Sequence, residues 1–276
     1  MHEENKKKGW NGILDVVDLK KHFGEVKAVD GLTFSVKKGE IYGLLGPNGA
    51  GKTTTIKCIM GLLSLQEGSI RVLGLDPTVS PERVKGEIGY VSEEPMLYKS
   101  MTPEELFNFI ASIRKLDAEG ATSKAKSLVT SLDALQYYKS AIVTLSKGNK
   151  QKMQIISALI HDPPLLIMDE PLAGLDAKTS RIVKDILKIH VEEGGSILLS
   201  THIMEQASEL CDKIGIINKG KMVAEGTLNE LQSYADAAGA NLEDVYLKLT
   251  EQDKDVKSVV DSLRASYHAS KPSELN

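Results

Sequence analysis

Glu40-Ile41-Tyr42-Gly43-Leu44-Leu45-Gly46-Pro47-Asn48-Gly49-Ala50-Gly51-Lys52-Thr53-Thr54-Thr55-Ile56 is the stretch that decides the fold. Glu40 to Leu45 reads as a buried strand, and from Thr53 to Leu63 the apolar residues recur at helical spacing. Between them, Gly46 to Thr53 fits G-x-x-x-x-G-K-[ST] at every fixed position. The chemistry of that spacing is specific. Glycines let successive backbone N–H groups turn inward around phosphate oxygens, and the helix that follows aims its positive end at the same point. Lys52 is placed to reach the β- and γ-phosphates of a nucleotide, and the Thr53 hydroxyl to bind Mg²⁺. Nucleotide phosphate binding follows; the reaction class does not, because the loop is common to many chemistries.

Working outward, the next informative run is Leu165-Leu166-Ile167-Met168-Asp169-Glu170, an apolar strand that ends in two acids. In a parallel sheet such acids emerge at the carboxyl edge, where ligands bind in open α/β folds. Asp169 can hold Mg²⁺ there, and Glu170 can polarise an attacking water. Further short apolar strands, Ser196–Ser200 and Ile214–Asn218, alternate with helical patterns over Lys178–Glu193 and Met204–Leu210. That alternation predicts a mainly parallel sheet covered on both faces.

Upstream, Ile13–Leu19 and Leu32–Val36 have the partial alternation of an exposed sheet, and short strands are expected at Ser69–Leu73 and Glu87–Val91. From about residue 95 to residue 162 helical periodicity takes over, with Leu106, Phe109, Ile110 and Ile113 expected to form one apolar face. Pro163 and Pro164 end that block. Because strands resume after it, it reads as a helical subdomain inserted in the sheet. Beyond residue 230 the chain is helical and charged, with Val256, Val259, Val260 and Leu263 at helical spacing, and Ser270–Asn276 is expected to be disordered. The main domain is therefore drawn over residues 11–230 and a C-terminal helical tail over 231–276.

Composition bounds the partners. The 276 residues carry a formal charge of −4, with 41% apolar and 26% charged residues. A mildly acidic chain has no electrostatic footprint for nucleic acid, so no nucleic-acid partner is expected. Cys58 and Cys211 are too far apart in sequence to suggest a thiol metal cluster or a disulfide framework, which fits a reducing cytoplasm. Met1–Trp10 lacks the apolar run of a signal peptide, and no stretch approaches the roughly 18–20 apolar residues of a membrane span.

A third motif gives the set its specificity. Leu145-Ser146-Lys147-Gly148-Asn149 follows the phosphate loop and precedes the paired acids, and with them the chain resembles the ATP-binding subunit of ABC transporters over about residues 13–230. The resemblance implies a P-loop NTPase core with an N-terminal antiparallel β-subdomain and the inserted α-helical subdomain. It implies that Phe23 stacks on adenine beside Val29, that Gly46 through Thr54 surround the phosphates, and that Glu170, Lys52 and His202 carry catalysis. Thr53, Asp169 and Glu93 become the expected Mg²⁺ set. Ser146, Gly148, Asn149 and Asp176 are implied to meet ATP bound to a partner subunit, so a head-to-tail dimer, with a homodimer expected, sandwiches the nucleotide.

Two departures stand out. The family signature usually reads Leu-Ser-Gly-Gly-Gln, whereas Lys147 and Asn149 occupy its third and fifth places here. Glu93 stands where glutamine is usual, adding a charge to the metal shell. Together with Leu242–Thr250, these resemble the drug- and antibiotic-exporter branch. A separate integral permease, docked near Met96, Leu97, Tyr98 and Met101, is the implied partner, at the cytoplasmic face of a membrane. The competing readings are a soluble ATPase of the same class acting on ribosomes or DNA, and an ATP-dependent regulatory or assembly module. Against the first, there is one phosphate loop, and no heptad run lies between Lys52 and Ser146.

Overall fold

The computed structural model describes residues 11–250, 258–259 and 262–263. Two sheets form its framework. The larger has six strands in the order β5 (Ile88–Val91), β6 (Leu165–Asp169), β7 (Ser196–Thr201), β3 (Ile41–Leu45), β8 (Lys213–Asn218) and β9 (Lys221–Gly226). Its first five strands are parallel, and β9 closes the edge antiparallel to β8. The smaller sheet, β2 (Val26–Val36), β1 (Leu14–Phe23) and β4 (Glu67–Val72), is antiparallel throughout.

Alternation along the buried strands sets the layers. Leu166 and Met168 of β6, with Ile197 and Leu199 of β7, point into one core; Leu165, Ile167 and Leu198 point into the other. The first core is completed by the helical subdomain, α3 (Pro103–Ile113), α4 (Ala118–Ser131) and α5 (Lys147–Leu159). The second is completed by the antiparallel sheet and α1 (Lys52–Ile59). The remaining helices are α2 (Pro81–Glu87), α6 (Ala177–Glu192), α7 (Met204–Leu210), α8 (Leu228–Tyr234) and α9 (Leu242–Leu249). A third cluster joins Leu45, Ile214 and Ile216 of the sheet to Leu231, Leu242, Val245 and Tyr246. Helices α8 and α9 thus pack on the sheet.

Two expectations change. The buried face of α3 is Leu106, Phe107 and Ala111, with Ile110 partly covered, while Ile113 is 62% exposed. The i, i+3, i+4, i+7 pattern found only part of the covered stripe, Leu106 and Ile110, because this helix is apolar on more than one side and tertiary packing decides which side is covered. Strand β9 was not expected from its sequence, since Lys221-Met222-Val223-Ala224-Glu225-Gly226 is a half-exposed edge without a strong period. Val259 and Leu263 are helical and exposed, whereas Val256, Val260, residues 1–10 and the 270–276 tail lie outside the described residues.

Candidate functional site

The phosphate loop is built by close packing around glycine. At Gly46 a Cβ would stand 2.2 Å from the Ile217 carbonyl oxygen; at Gly51, with φ of 105°, one would stand 2.3 Å from that of Ala28. Neither position tolerates a side chain, for steric reasons in the first and for both steric and backbone reasons in the second. The β8–β9 turn braces the loop from outside: the Gly220 N–H donates to Ala50 O at 3.0 Å, and Asp30 N–H donates to Gly220 O at 2.9 Å. The loop is therefore held by both sheets.

Inside it, the Lys52 ammonium donates to the carbonyls of Gly46 (2.7 Å) and Pro47 (3.2 Å). Burial lowers its pKa, and the charges of Glu170, Asp169 and Glu93 oppose that shift. The Thr53 hydroxyl donates to Asp169 Oδ2 at 2.7 Å, and Ser200 Oγ donates to Asp169 Oδ1 at 2.7 Å. Asp169 is 1% exposed, so its carboxylate is fixed by hydroxyls from α1 and β7.

Glu170 adopts a left-handed backbone, φ 49°, a conformation that typically costs a non-glycine residue about 1–3 kcal/mol. The bonds from Glu170 N–H to Ser200 O (2.9 Å) and from Ala173 N–H to Glu170 O (3.1 Å) hold it there. The result turns its side chain away from the strand direction. Its buried carboxylate accepts from Thr201 Oγ1 (3.1 Å), from the His202 backbone N–H (2.8 Å) and from His202 Nδ1 (2.6 Å).

Beside these groups lies a cleft of about 550 Å³, within the range of small-molecule sites. Phe23, Asn48 to Thr54, Glu93, Asp169 and Glu170 all reach it. Gly46 and Pro47 contribute from behind, through the carbonyls that hold Lys52. Val29 does not reach it: its side chain is wholly buried beneath Gly51, in the core shared with α1. The apolar cleft residue beside Phe23 is Val26, across the turn and 66% exposed. In the two-stranded hairpin, Phe23 pairs with Val26 and Lys21 with Val29, so the residue nearest the ring was missed by three positions.

The signature segment lies elsewhere. Ser146 caps α5, accepting from the Asn149 N–H at 3.2 Å. Gly148 packs on the Gly174 carbonyl, 2.9 Å from where a Cβ would sit, so it adjoins the Leu172–Asp176 loop. Asp176 caps α6 through Thr179 N–H (2.9 Å) and Oγ1 (2.7 Å). None of Ser146, Gly148, Asn149, Asp176 or His202 lines the cleft.

Two residues absent from the motif reading connect these regions. The Gln151 side-chain amide donates to Pro171 O at 3.0 Å. Gln154 grips both ends of the Glu93 turn, donating to Ser92 O at 2.7 Å and accepting from Met96 N–H at 2.8 Å. One helix thus holds the loops that follow Val91 and Glu170. Buried glutamines on a helix that otherwise packs on apolar core were the available sequence signal.

The family pattern described as ABC transporter matches residues 29–173. The chain belongs to the ABC transporter family, as an ATP-binding subunit. Among curated relatives, "Uncharacterized ABC transporter ATP-binding protein YhaQ" of Bacillus subtilis is 39% identical over 80% of this chain and 73% of that protein. "Linearmycin resistance ATP-binding protein LnrL", also of Bacillus subtilis, is 38% identical over 80% of this chain and 71% of that protein. A solved ATP-binding subunit of an ABC transporter superposes with a TM-score of 0.82 at 34% identity, covering 86% of this chain and 99% of its own. A dimeric ATP-binding cassette in a post-hydrolysis state, bound to ADP and Pi, shares the fold at TM-score 0.71 and 22% identity, over 78% of this chain and 98% of its own. In this ATP-binding subunit, no helix among the described residues is long and apolar enough to cross a membrane.

Proposed function

We propose that this subunit hydrolyses ATP in a head-to-tail homodimer and so drives export through a separate integral permease, working from the cytoplasmic face of the membrane. The observation that carries the reading is Glu170: a buried carboxylate in a left-handed backbone, gripped by three donors at the rim of the phosphate cleft. Strain of this kind persists where geometry is needed for chemistry.

In this mechanism Lys52 exchanges the Gly46 and Pro47 carbonyls for phosphate oxygens. Phe23 takes the adenine ring, and the loop N–H groups of Asn48 to Thr54 take the phosphates. Glu170 accepts a proton from water as the water oxygen bonds to the γ-phosphorus and the bond to the ADP oxygen breaks. His202 orients Glu170 and supplies a donor toward the γ-phosphate. The hard oxygen donors Thr53 Oγ1 and Asp169, with Glu93 at the rim, suit Mg²⁺, which when bound neutralises phosphate charge. Ser146, Gly148, Asn149 and Asp176 complete the site of the partner. Their distance from this chain's own cleft supports that sharing, as does the dimeric relative of the same fold. Export is supported by LnrL, named for linearmycin resistance, and by the probable multidrug ABC transporter ATP-binding protein YbhF of Escherichia coli, 35% identical over 80% of this chain and 38% of that protein.

Glu170→Gln tests the chemistry. Glutamine keeps the shape but cannot take the proton, so ATP turnover should fall about 100-fold or more. ATP binding should persist, and MgATP should move the variant to dimer mass in size exclusion. Turnover at the wild-type rate would remove Glu170 from the role of base.

A further inference from the structure

Against the Phe23 ring, outside the residues that line the cleft, lies a cation with no ion-pair partner among the described residues. Lys21, two residues before Phe23 on the same face of β1, is only 8% exposed, yet its ammonium makes no hydrogen bond or ion pair among the described residues. Its nitrogen sits 5.1 Å from the centroid of the Phe23 ring, within cation–π range. Its position against α1 is marked by the Cys58 thiol, whose pKa burial pushes up and the Lys21 charge pulls down. Lys20, by contrast, has a conventional partner in Glu67 at 2.7 Å.

The strand around this pair is fixed. Gln66 reaches across to the backbone of His22, accepting from its N–H at 3.0 Å and donating to its carbonyl at 3.0 Å, while the Gln66 N–H donates to Lys20 O at 3.0 Å. Alternation along the strand puts the Lys21 and Phe23 side chains on the face opposite that of His22. Phe23 itself is 50% exposed and has no ring partner among the described residues, so no aromatic neighbour sets its plane.

We propose that Lys21 is a positioning residue for nucleotide binding, its ammonium holding one face of the Phe23 ring so that the other face is presented to the base of ATP. The proposal rests on the reading of Phe23 as the base-stacking residue. A ring held in place before binding loses less freedom on stacking. A cation behind the ring also draws electron density away from the face that meets the electron-rich purine. Both effects act through the base alone, and neither acts on the phosphates.

The test is a double-mutant cycle on the full chain by calorimetry, using ATP and, as a ligand with no base, inorganic tripolyphosphate. Lys21→Met keeps the buried stem and removes the charge. It should weaken ATP about two- to fivefold and raise KM for ATP with kcat unchanged, while tripolyphosphate binds as to wild type. Lys21→Arg, which retains a cation for the ring, should restore ATP affinity. In a Phe23→Ala background, itself weaker for ATP, Lys21→Met should have no further effect. Normal ATP affinity in Lys21→Met overturns the proposal and leaves Phe23 stacking intact. So does an equal loss for tripolyphosphate, which would mark a simple charge effect or a damaged fold. Normal ATP affinity in Phe23→Ala instead removes the base-stacking reading, and the role of Lys21 with it.

Discussion

His202 is a residue whose two bonds to one oxygen define its task. Its ring Nδ1 and its backbone N–H both reach Glu170 Oε1, at 2.6 and 2.8 Å, while half of its side chain stays in solvent. On the proposed mechanism, the exposed edge is the part that meets the γ-phosphate. His202→Ala keeps the backbone donor but frees the carboxylate to rotate, so turnover should fall at least tenfold with little change in ATP affinity. A steady-state rate and a binding isotherm on one preparation check this, and a loss of affinity as large as the loss of rate would reassign His202 to binding. At this scale the sequence was legible wherever spacing encodes chemistry. Gly46, Gly51, Lys52, Thr53, Asp169 and Glu170 converge because a strand, a turn and a helix leave them no other place to go. Val29 was misplaced because strand pairing, which a linear pattern does not state, selects Val26 as the neighbour of Phe23. Gln151 and Gln154 were missed because their partners are backbone carbonyls of loops distant in sequence.

Among the elements, α5 and β5 meet through a histidine that stays neutral. His161 follows α5, and its Nε2 donates to Ile88 O at 3.2 Å while Nδ1 is buried without a partner. Burial, then the Arg114 and Lys124 charges, depress its pKa to about 4, with the Ile88 bond and Asp162 acting against them. A histidine depressed in the fold binds a proton more readily when unfolded. Its contribution to stability is therefore present above the unfolded value near 6.5 and is lost as pH falls from there toward 4. Allowing for partial solvent access, that loss is on the order of 1–2 kcal/mol. His161→Gln keeps a donor for Ile88 without a titratable ring, so melting temperature followed by circular dichroism should show a flatter decline between those pH values. An unchanged profile would place the sensitivity on other groups. Elements with strong periods, such as β3, β6 and α6, were readable from sequence almost to the residue. The edge strand β9 and the buried stripe of α3 were not, because each is decided by the neighbour that covers it.

The whole molecule presents a groove of about 360 Å³ between the helical subdomain and the large sheet, with Met96, Tyr98, Phe109, Arg114 and His161 among its walls. Here the four apolar residues expected to meet a permease divide. Met96 is 82% and Tyr98 58% exposed, whereas Leu97 and Met101 pack against the subdomain core. Tyr98 lies edge-on to Phe109 at 5.4 Å between ring centroids, so the outward stripe of α3 extends the same surface. Tyr98→Asp should leave the ATPase rate of the isolated subunit within about twofold of wild type and reduce its recovery with membranes that contain the permease. Leu97 is the poorer site for that experiment, since charging it disturbs the fold. Full membrane recovery of Tyr98→Asp would remove this face from the proposed contact, and recovery that survives deletion of the permease would overturn permease docking altogether.

The separation of Ser146 and Gly148 from this chain's own cleft has a kinetic consequence. If one protomer holds the phosphates and another supplies the cap, then dilution starves the reaction even when ATP is saturating. Below the dissociation constant of the pair, the observed velocity should climb with the square of subunit concentration, and above it in simple proportion. At dilution below that constant, an excess of the Glu170→Gln chain, whose Ser146 and Gly148 are intact, would supply the missing caps, so the activity per wild-type subunit should rise. A velocity strictly linear from nanomolar to micromolar subunit would mean that each protomer works alone.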